Sequence, residues 1–493
     1  MEWFDVFSRG FISFSGWLNS LLWGPWLLVL LFGTHLYMTY KTGFIQRKIF
    51  LGIKMSLEKD DKSKGDVSHF GALTTALAAT IGTGNIVGVG TAIALGGPGA
   101  VLWMWLTGVF GIATKYAESL IAVKYRVRTA DGQMLGGAMY ALERLSINIG
   151  VADKSNTLGD EPVERKMSLK WLGVLFAIFA AICAFGIGSG VQANAVAANL
   201  QSTIHLDLWI SGFVIAILVG LVILGGIQII SKVCIGFIPA MAILYCLGCG
   251  IILIMNFDYI FPAVSLIVSS AFSPRAAGGG FIAATFMAAA RFGIARGLFS
   301  NESGMGSAPI VAAAAKTRNP FRQALVSSTG TFWDTVIICA ITGVTLVSTI
   351  VGNPTLIPDP SKINGGLLTN LAFGQIPIFG NIVLTFGLVT FAFSTILGWS
   401  YYGERCAEYL LGAKVRIPYR ILFVIVTFIG ATIPLGLVWE IADSLNALMA
   451  IPNIIAVLLL SNLIAKETKY YLTGDNMDKF DDTPIPLYGE EIR

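Results

Sequence analysis

The chain has 493 residues, of which 55% are hydrophobic and 13% are charged. That charged share is roughly half of what an ordinary soluble domain carries, so the composition excludes a typical soluble globular protein and points to an all-α polytopic membrane protein, with membrane lipid around it. A net charge of +4, spread between apolar segments, excludes a nucleic-acid partner of the usual basic kind.

The first residues include Glu2 and Asp5 where a cleavable signal would carry basic residues, so this segment is expected to be retained. Trp3, Phe4, Phe7, Phe11 and Phe14 recur at near-helical spacing, which fits either a short helix lying on the membrane surface or core packing. At about twenty apolar residues per crossing, spans are predicted near 22–41, 69–94, 100–123, 168–199, 208–229 and 233–255. The second half adds 279–315, 323–350, 378–410, 418–437 and 441–464, about eleven spans in all.

Every second loop is basic. Lys41, Arg47, Lys48, Lys54 and Lys64 follow the first span, and Lys124, Arg126, Arg128 and Arg144 follow the third. Lys232, then Lys316, Arg318 and Arg322, then Lys414, Arg416 and Arg420, then Lys466 and Lys469 continue the pattern. Cytoplasmic loops collect Lys and Arg, so the N-terminus is expected outside and the C-terminus in the cytoplasm, in the cell (cytoplasmic or inner) membrane. The polar stretch 148–166 reads as a solvated cytoplasmic loop, and the outer loops 261–273 and 364–373 are apolar enough for short re-entrant or capping helices. The six cysteines lie in spans or at their ends and suggest no disulfide framework. No phosphate-binding Gly-x-x-x-x-Gly-Lys run occurs, so transport would be driven by a gradient, with no ATPase subunit expected.

The span near 69–94 has the run Gly82-Thr83-Gly84-Asn85-Ile86-Val87-Gly88-Val89-Gly90 at its centre. A glycine in a helix interior costs roughly 1 kcal/mol against alanine, and backbone freed in lipid needs another partner. Gly84 to Gly88 also fits a small-residue packing face between helices. A second interruption, Gly297 to Gly306, lies at the corresponding place in the later half. Setting the first span aside leaves five spans plus five of opposite orientation, which divides the chain into 1–66, 67–257, 258–465 and 466–493. Interrupted segments at matching positions of two inverted halves point to a transporter's binding site. The later half-helix, starting near Thr83, would offer unpaired N–H groups to a carboxylate. The carbonyls of Ala78, Thr80 and Ile81 would suit a monovalent cation or an ammonium. Asn85, Ser394 and Thr395 could add side-chain oxygens, although Ser and Thr in membrane helices often bond their own backbone.

Charged residues inside spans cost at least about 2.5 kcal/mol each at mid-membrane. Arg291, Arg296, Glu302, Asp334 and Glu118 fall there. An Arg296–Glu302 pair bracing the second break is one reading, and proton relay by Glu302 is the other. His35, His69 and His205 lie near span ends without ligand spacing and suggest no role. Nothing pairs a nucleophile with a base, so an enzyme is not expected.

Trp23-Gly-Pro, Lys41-Thr-Gly-Phe44, Gly82-Thr-Gly-Asn-Ile-Val-Gly-Val, Gly96-Gly-Pro-Gly99 and Arg296-Gly-Leu-Phe-Ser-Asn-Glu-Ser-Gly304 resemble the alanine or glycine:cation symporter family, almost end to end. The resemblance implies a leucine-transporter-like fold of ten core helices after one extra N-terminal span. It implies sodium-coupled symport of a small neutral amino acid, alanine or glycine, by alternating access. It places the substrate carboxylate on amides around Thr83, Gly84 and Asn85, and the ammonium on carbonyls near Thr80 and Phe299. Ser300 and Gln192 join the substrate site, with Thr395 and Trp399 one turn apart facing the pocket and Trp399 limiting side-chain size. Sodium, the coupling ion, would sit among Ala78, Ile81, Phe391, Ser394 and Thr395. Ser303, where the family usually has alanine, and the unusual Val87 and Gly90 leave the choice among small amino acids open. Rival readings are a cation symporter for a nucleobase or sugar, a channel, and a membrane-embedded amino-acid sensor.

Overall fold

The computed structural model describes residues 14, 16–60, 63–149, 165–272, 286–354, 365–433 and 435–488. Most of the aromatic N-terminal segment and the centre of the 148–166 loop therefore lie outside the described residues. Among those described, seven helices are long and apolar enough to cross a membrane: Gly16–Lys41, Lys170–Ile204, Gly226–Met255, Pro320–Gly352, Gly380–Leu411, Ala413–Thr432 and Ala442–Leu459. An eighth span is the bent pair His69–Thr80 and Gly84–Gly96, whose halves meet at 53°. Ala100–Lys124 is 25 residues long but buries Lys115 and Glu118. With the shorter Leu208–Ile223 and Phe286–Asn301, the set is consistent with about eleven spans. Helices Phe257–Phe272 and Gly365–Phe373 fall where capping helices are predicted.

Local chemistry sets the boundaries. Ser68 opens the first broken span by accepting the Gly71 N–H at 3.0 Å. Asn319 caps the Pro320–Thr331 helix at the Arg322 N–H, with Pro320 at the first helical position, where it sacrifices no hydrogen bond. Among the described residues, three stretches of π-helix interrupt the spans, at Gly84–Gly88, Ala184–Gly190 and Phe332–Cys339. Such bulges release one backbone partner and turn side chains to new directions.

The long Gly380–Leu411 helix packs tightly against the first broken span at Gly398, where an added Cβ would lie 2.7 Å from Ala79. At its far end Arg405 pairs with Glu404 and Glu408. Arg416 reaches Glu408 and Asp131, and Arg420 holds Glu404. The Arg416 guanidinium and the Thr129 hydroxyl hold the Asp131 carboxyl down to about 2. The C-terminal segment crosses the same end: Asp481 pairs with Lys124, and Tyr488 N–H donates to the Arg128 carbonyl at 2.8 Å.

Candidate functional site

The first break replaces two ladder bonds with side-chain partners. In a continuous helix the Gly82 N–H would donate to the Ala78 carbonyl; here it donates to Asn85 Oδ1 at 2.9 Å. The Thr83 N–H, which would meet Ala79, faces Gln192 Oε1 at a long 3.4 Å. Ile81 turns to extended backbone, with ψ 94°. The helix then restarts through the π turn at Gly84.

Oxygens converge beside the freed carbonyl end. Thr395 Oγ1 lies 3.0 Å from the Phe391 carbonyl and 3.4 Å from that of Ile81. Ser394 Oγ lies 2.8 Å from the Phe391 carbonyl. Ile81, Phe391, Ser394 and Thr395 thus form a buried group of carbonyls and hydroxyls that includes no carboxylate, and Ala78 is buried one turn before Ile81. Hard oxygen donors without net charge suit a monovalent hard cation. Gly82 is required for the convergence, because a Cβ there would sit 2.4 Å from Thr395 Oγ1.

The neighbouring polar groups are unfilled. Thr83 Oγ1 and Trp399 Nε1 are buried without a hydrogen-bond partner. The Trp399 ring is backed by Gly188 of the second π turn, where a Cβ would lie 2.2 Å from that of Trp399. Gly84 lets the Phe299 ring approach, since an added Cβ would be 3.3 Å from it. Beyond Phe299 the helix ends, and the Ser303 N–H donates to Asn301 Oδ1 at 2.9 Å. Phe299 also lines a cavity of about 210 Å³ with Asn19, Trp23, Arg296 and Asp443.

Three of the expected site residues also bond within the protein. The Thr80 hydroxyl bonds back to the carbonyls of Ala76 and Leu77, so it is engaged within its own helix. Asn85 caps Gly82 with Oδ1, donates its amide to Asp334 Oδ1 at 2.6 Å, and its own N–H bonds the Gly82 carbonyl at 3.2 Å. The Ser300 hydroxyl likewise faces Asp334, at 3.0 and 3.2 Å. Asn85 and Ser300 therefore tie both broken spans to one carboxylate, which the third π stretch brings inward.

The second break lies later than the sequence suggests. The Phe286–Asn301 helix runs unbroken through Gly297, where a Cβ would lie 2.2 Å from Thr107 Oγ1, so that glycine serves helix packing. The chain turns at Glu302, Gly304 and Gly306, with φ of 54°, 87° and 80°. Arg296 does not pair with Glu302: it faces Asp443 at 3.6 Å, while Glu302 accepts the Ser307 hydroxyl at 2.6 Å. Glu118 Oε2 holds the turn by accepting from Gly304 N, Gly306 N and Asn453 Nδ2 at 3.2, 3.3 and 2.8 Å. Lys115 Nζ lies 3.6 Å from Glu118 Oε1. Sequence reasoning missed Lys115 and Asn453, although a Lys and a Glu three residues apart in an apolar run was an available signal. His35, expected near a span end, is fully buried inside its span with Nδ1 2.8 Å from Thr114 Oγ1.

A sequence model of the sodium:alanine symporter family matches residues 9–483. The sodium/alanine symporter AgcS of Methanococcus maripaludis is 51% identical over 464 residues, covering 94% of this chain and 97% of its own. An uncharacterized transporter of Haemophilus influenzae is 46% identical, covering 95% and 98%. Among solved structures, MhsT in complex with L-phenylalanine superposes with a TM-score of 0.55 at 15% identity, over 82% of this chain and 99% of that one. That likeness establishes a leucine-transporter-like fold. The chain belongs to the sodium:alanine symporter family, whose members are transporters and not enzymes.

Proposed function

We propose that this sodium-coupled symporter imports a small neutral amino acid, alanine or glycine, by alternating access around its two broken spans. The observation that carries this reading is the arrangement of the first break. It offers the Thr83 amide and hydroxyl, and the Ile81 carbonyl beside Thr395, with Ser394 next to Thr395 and Trp399 one turn further on. A carboxylate displaces the weak Gln192–Thr83 contact, and the Phe299 carbonyl takes the ammonium. Sodium occupies the oxygen group around Thr395. Ion and amino acid thus share one short unwound segment, and each raises the other's affinity. Trp399, held by the Gly188 surface, caps the pocket and excludes large side chains.

With the N-terminus outside, the cavity at Arg296 and Asp443 is the external approach, and the ion pairs around Arg405 and Arg420 close the cytoplasmic side. Inward movement of one charge is worth about 2.3 kcal/mol per 100 mV, so the membrane potential adds to the sodium gradient. The test is uptake of labelled alanine by proteoliposomes with an imposed sodium gradient, in competition with glycine, serine and uracil. Accumulation that collapses when sodium is equalised, and that yields to glycine but not uracil, is expected. Equal uptake without the gradient would overturn the symport reading.

A further inference from the structure

Around the second break, three fully buried carboxyl groups share one buried ammonium. Glu118, Glu302 and Asp334 are each 3% exposed or less, as is Lys115. All three carboxylates ionised would leave two uncompensated negative charges in the membrane interior, and buried charges without partners are strongly disfavoured. A proton taken up by one of these carboxyl groups removes one of those charges without a further partner.

The donors sort the three groups. Glu118 receives two backbone N–H groups and the Asn453 amide, with Lys115 alongside. Asp334 receives Asn85, the Ser300 hydroxyl and the Thr335 hydroxyl. Glu302 has the Ser307 hydroxyl and, among the described ion pairs, no cation. The groups facing it are Lys115 and Glu118 from Ala100–Lys124, Asp334 from the third π stretch, Cys183 from the fourth span and Tyr402 from Gly380–Leu411. His35 approaches from the first span, its Cε1 3.7 Å from the Cβ position of Gly304. Glu302 is also the residue that makes the turn, at φ 54°, so any opening of the second break moves it.

We propose that Glu302 is a proton-binding site of the transport cycle, protonated in the closed arrangement and exchanging its proton with water when the second break opens. The proton comes from bulk water and returns to it, and no other bond changes. The site takes its place in a cycle from the transport reading above, but its protonation can be read separately.

The experiment is infrared difference spectroscopy of the purified full chain, following the C=O band of a protonated carboxyl group through a pH titration, beside sodium-driven alanine uptake over the same pH range. The wild type is expected to show the band at neutral pH, and Glu302→Gln to lose it and flatten the pH profile of uptake. Ser307→Ala removes a donor that favours the ionised form, so its band should persist to higher pH, by about one unit for a tenfold change in proton affinity. This variant carries the test if Glu302→Gln does not fold. Lys115→Gln, which deletes the one ammonium, should increase the band. A band unchanged in Glu302→Gln, or a Ser307→Ala titration that matches the wild type, would overturn the proposal. If the band behaves as expected but uptake is not sodium-driven, the transport reading fails while the proton site stands.

Discussion

The two broken spans solve the same problem with opposite chemistry. At the first break, neutral side chains take the place of lost ladder bonds: Asn85 on Gly82, Gln192 on Thr83, Thr395 near Ile81. These contacts are local or long, and a ligand can replace them at little net cost, since an exchanged hydrogen bond is worth only about 0.5–1.5 kcal/mol. At the second break, the turn depends on residues with positive φ, and a buried carboxylate grips two of its amides while an ammonium stands beside it. Charge-assisted bonds in a low-dielectric interior are the stronger kind. The first break is therefore held by exchangeable contacts, which suits the proposed ligand site, and the second by charge-assisted ones. Asp334 joins them, through Asn85 of the first and Ser300 of the second.

Substitutions can break this contrast. Glu118→Ala strands Lys115 and two amides, and removing one partner of a buried pair costs about 3–5 kcal/mol; a large fall in thermal stability in detergent is expected, and a fall like that of an exposed substitution would contradict the gripping role. Gly82→Ala places a Cβ 2.4 Å from Thr395 Oγ1 and should lower sodium-driven uptake by about a hundredfold, roughly 2.7 kcal/mol, with the chain still folded by size-exclusion chromatography. Thr395→Ala removes one ion-facing hydroxyl, and about a tenfold rise in the sodium concentration for half-maximal uptake follows from a loss near 1.4 kcal/mol. Trp399→Ala should sharpen the substrate side, admitting larger side chains that the wild type rejects, read by competition. Ser303→Ala breaks the hydroxyl pair with Thr331 at 2.9 Å and should cost about 1 kcal/mol or less in stability, with little change in substrate choice.

The helical class and the glycine break at Gly82 were legible, because backbone conflict and apolar length are written locally, whereas the grouping of Ile81 with Phe391, Ser394 and Thr395 came from the family resemblance. Partners far apart in sequence were not legible. Gly297 reads like a break but packs on Thr107, and nothing near it says so. Arg296 sits six residues from Glu302 yet faces Asp443 on the last span. Asn453 reaches Glu118 across 335 positions, which no local pattern encodes. The unusual Gly90 also finds its reason at a distance: a Cβ there would lie 2.5 Å from the Gly365 carbonyl, so it seats the Gly365–Phe373 helix. For Gly90 the pressure is helix packing, separate from the polar groups of the site.

Alanine affinity of the purified protein, measured by calorimetry in sodium and then in choline, tests the shared first break most directly. The expected affinity is at least about tenfold weaker without sodium, a coupling near 1.4 kcal/mol, and that difference is expected to vanish in Thr395→Ala. Equal affinity in the two salts would mean that ion and amino acid do not share the unwound segment at Gly82, and would contradict the account.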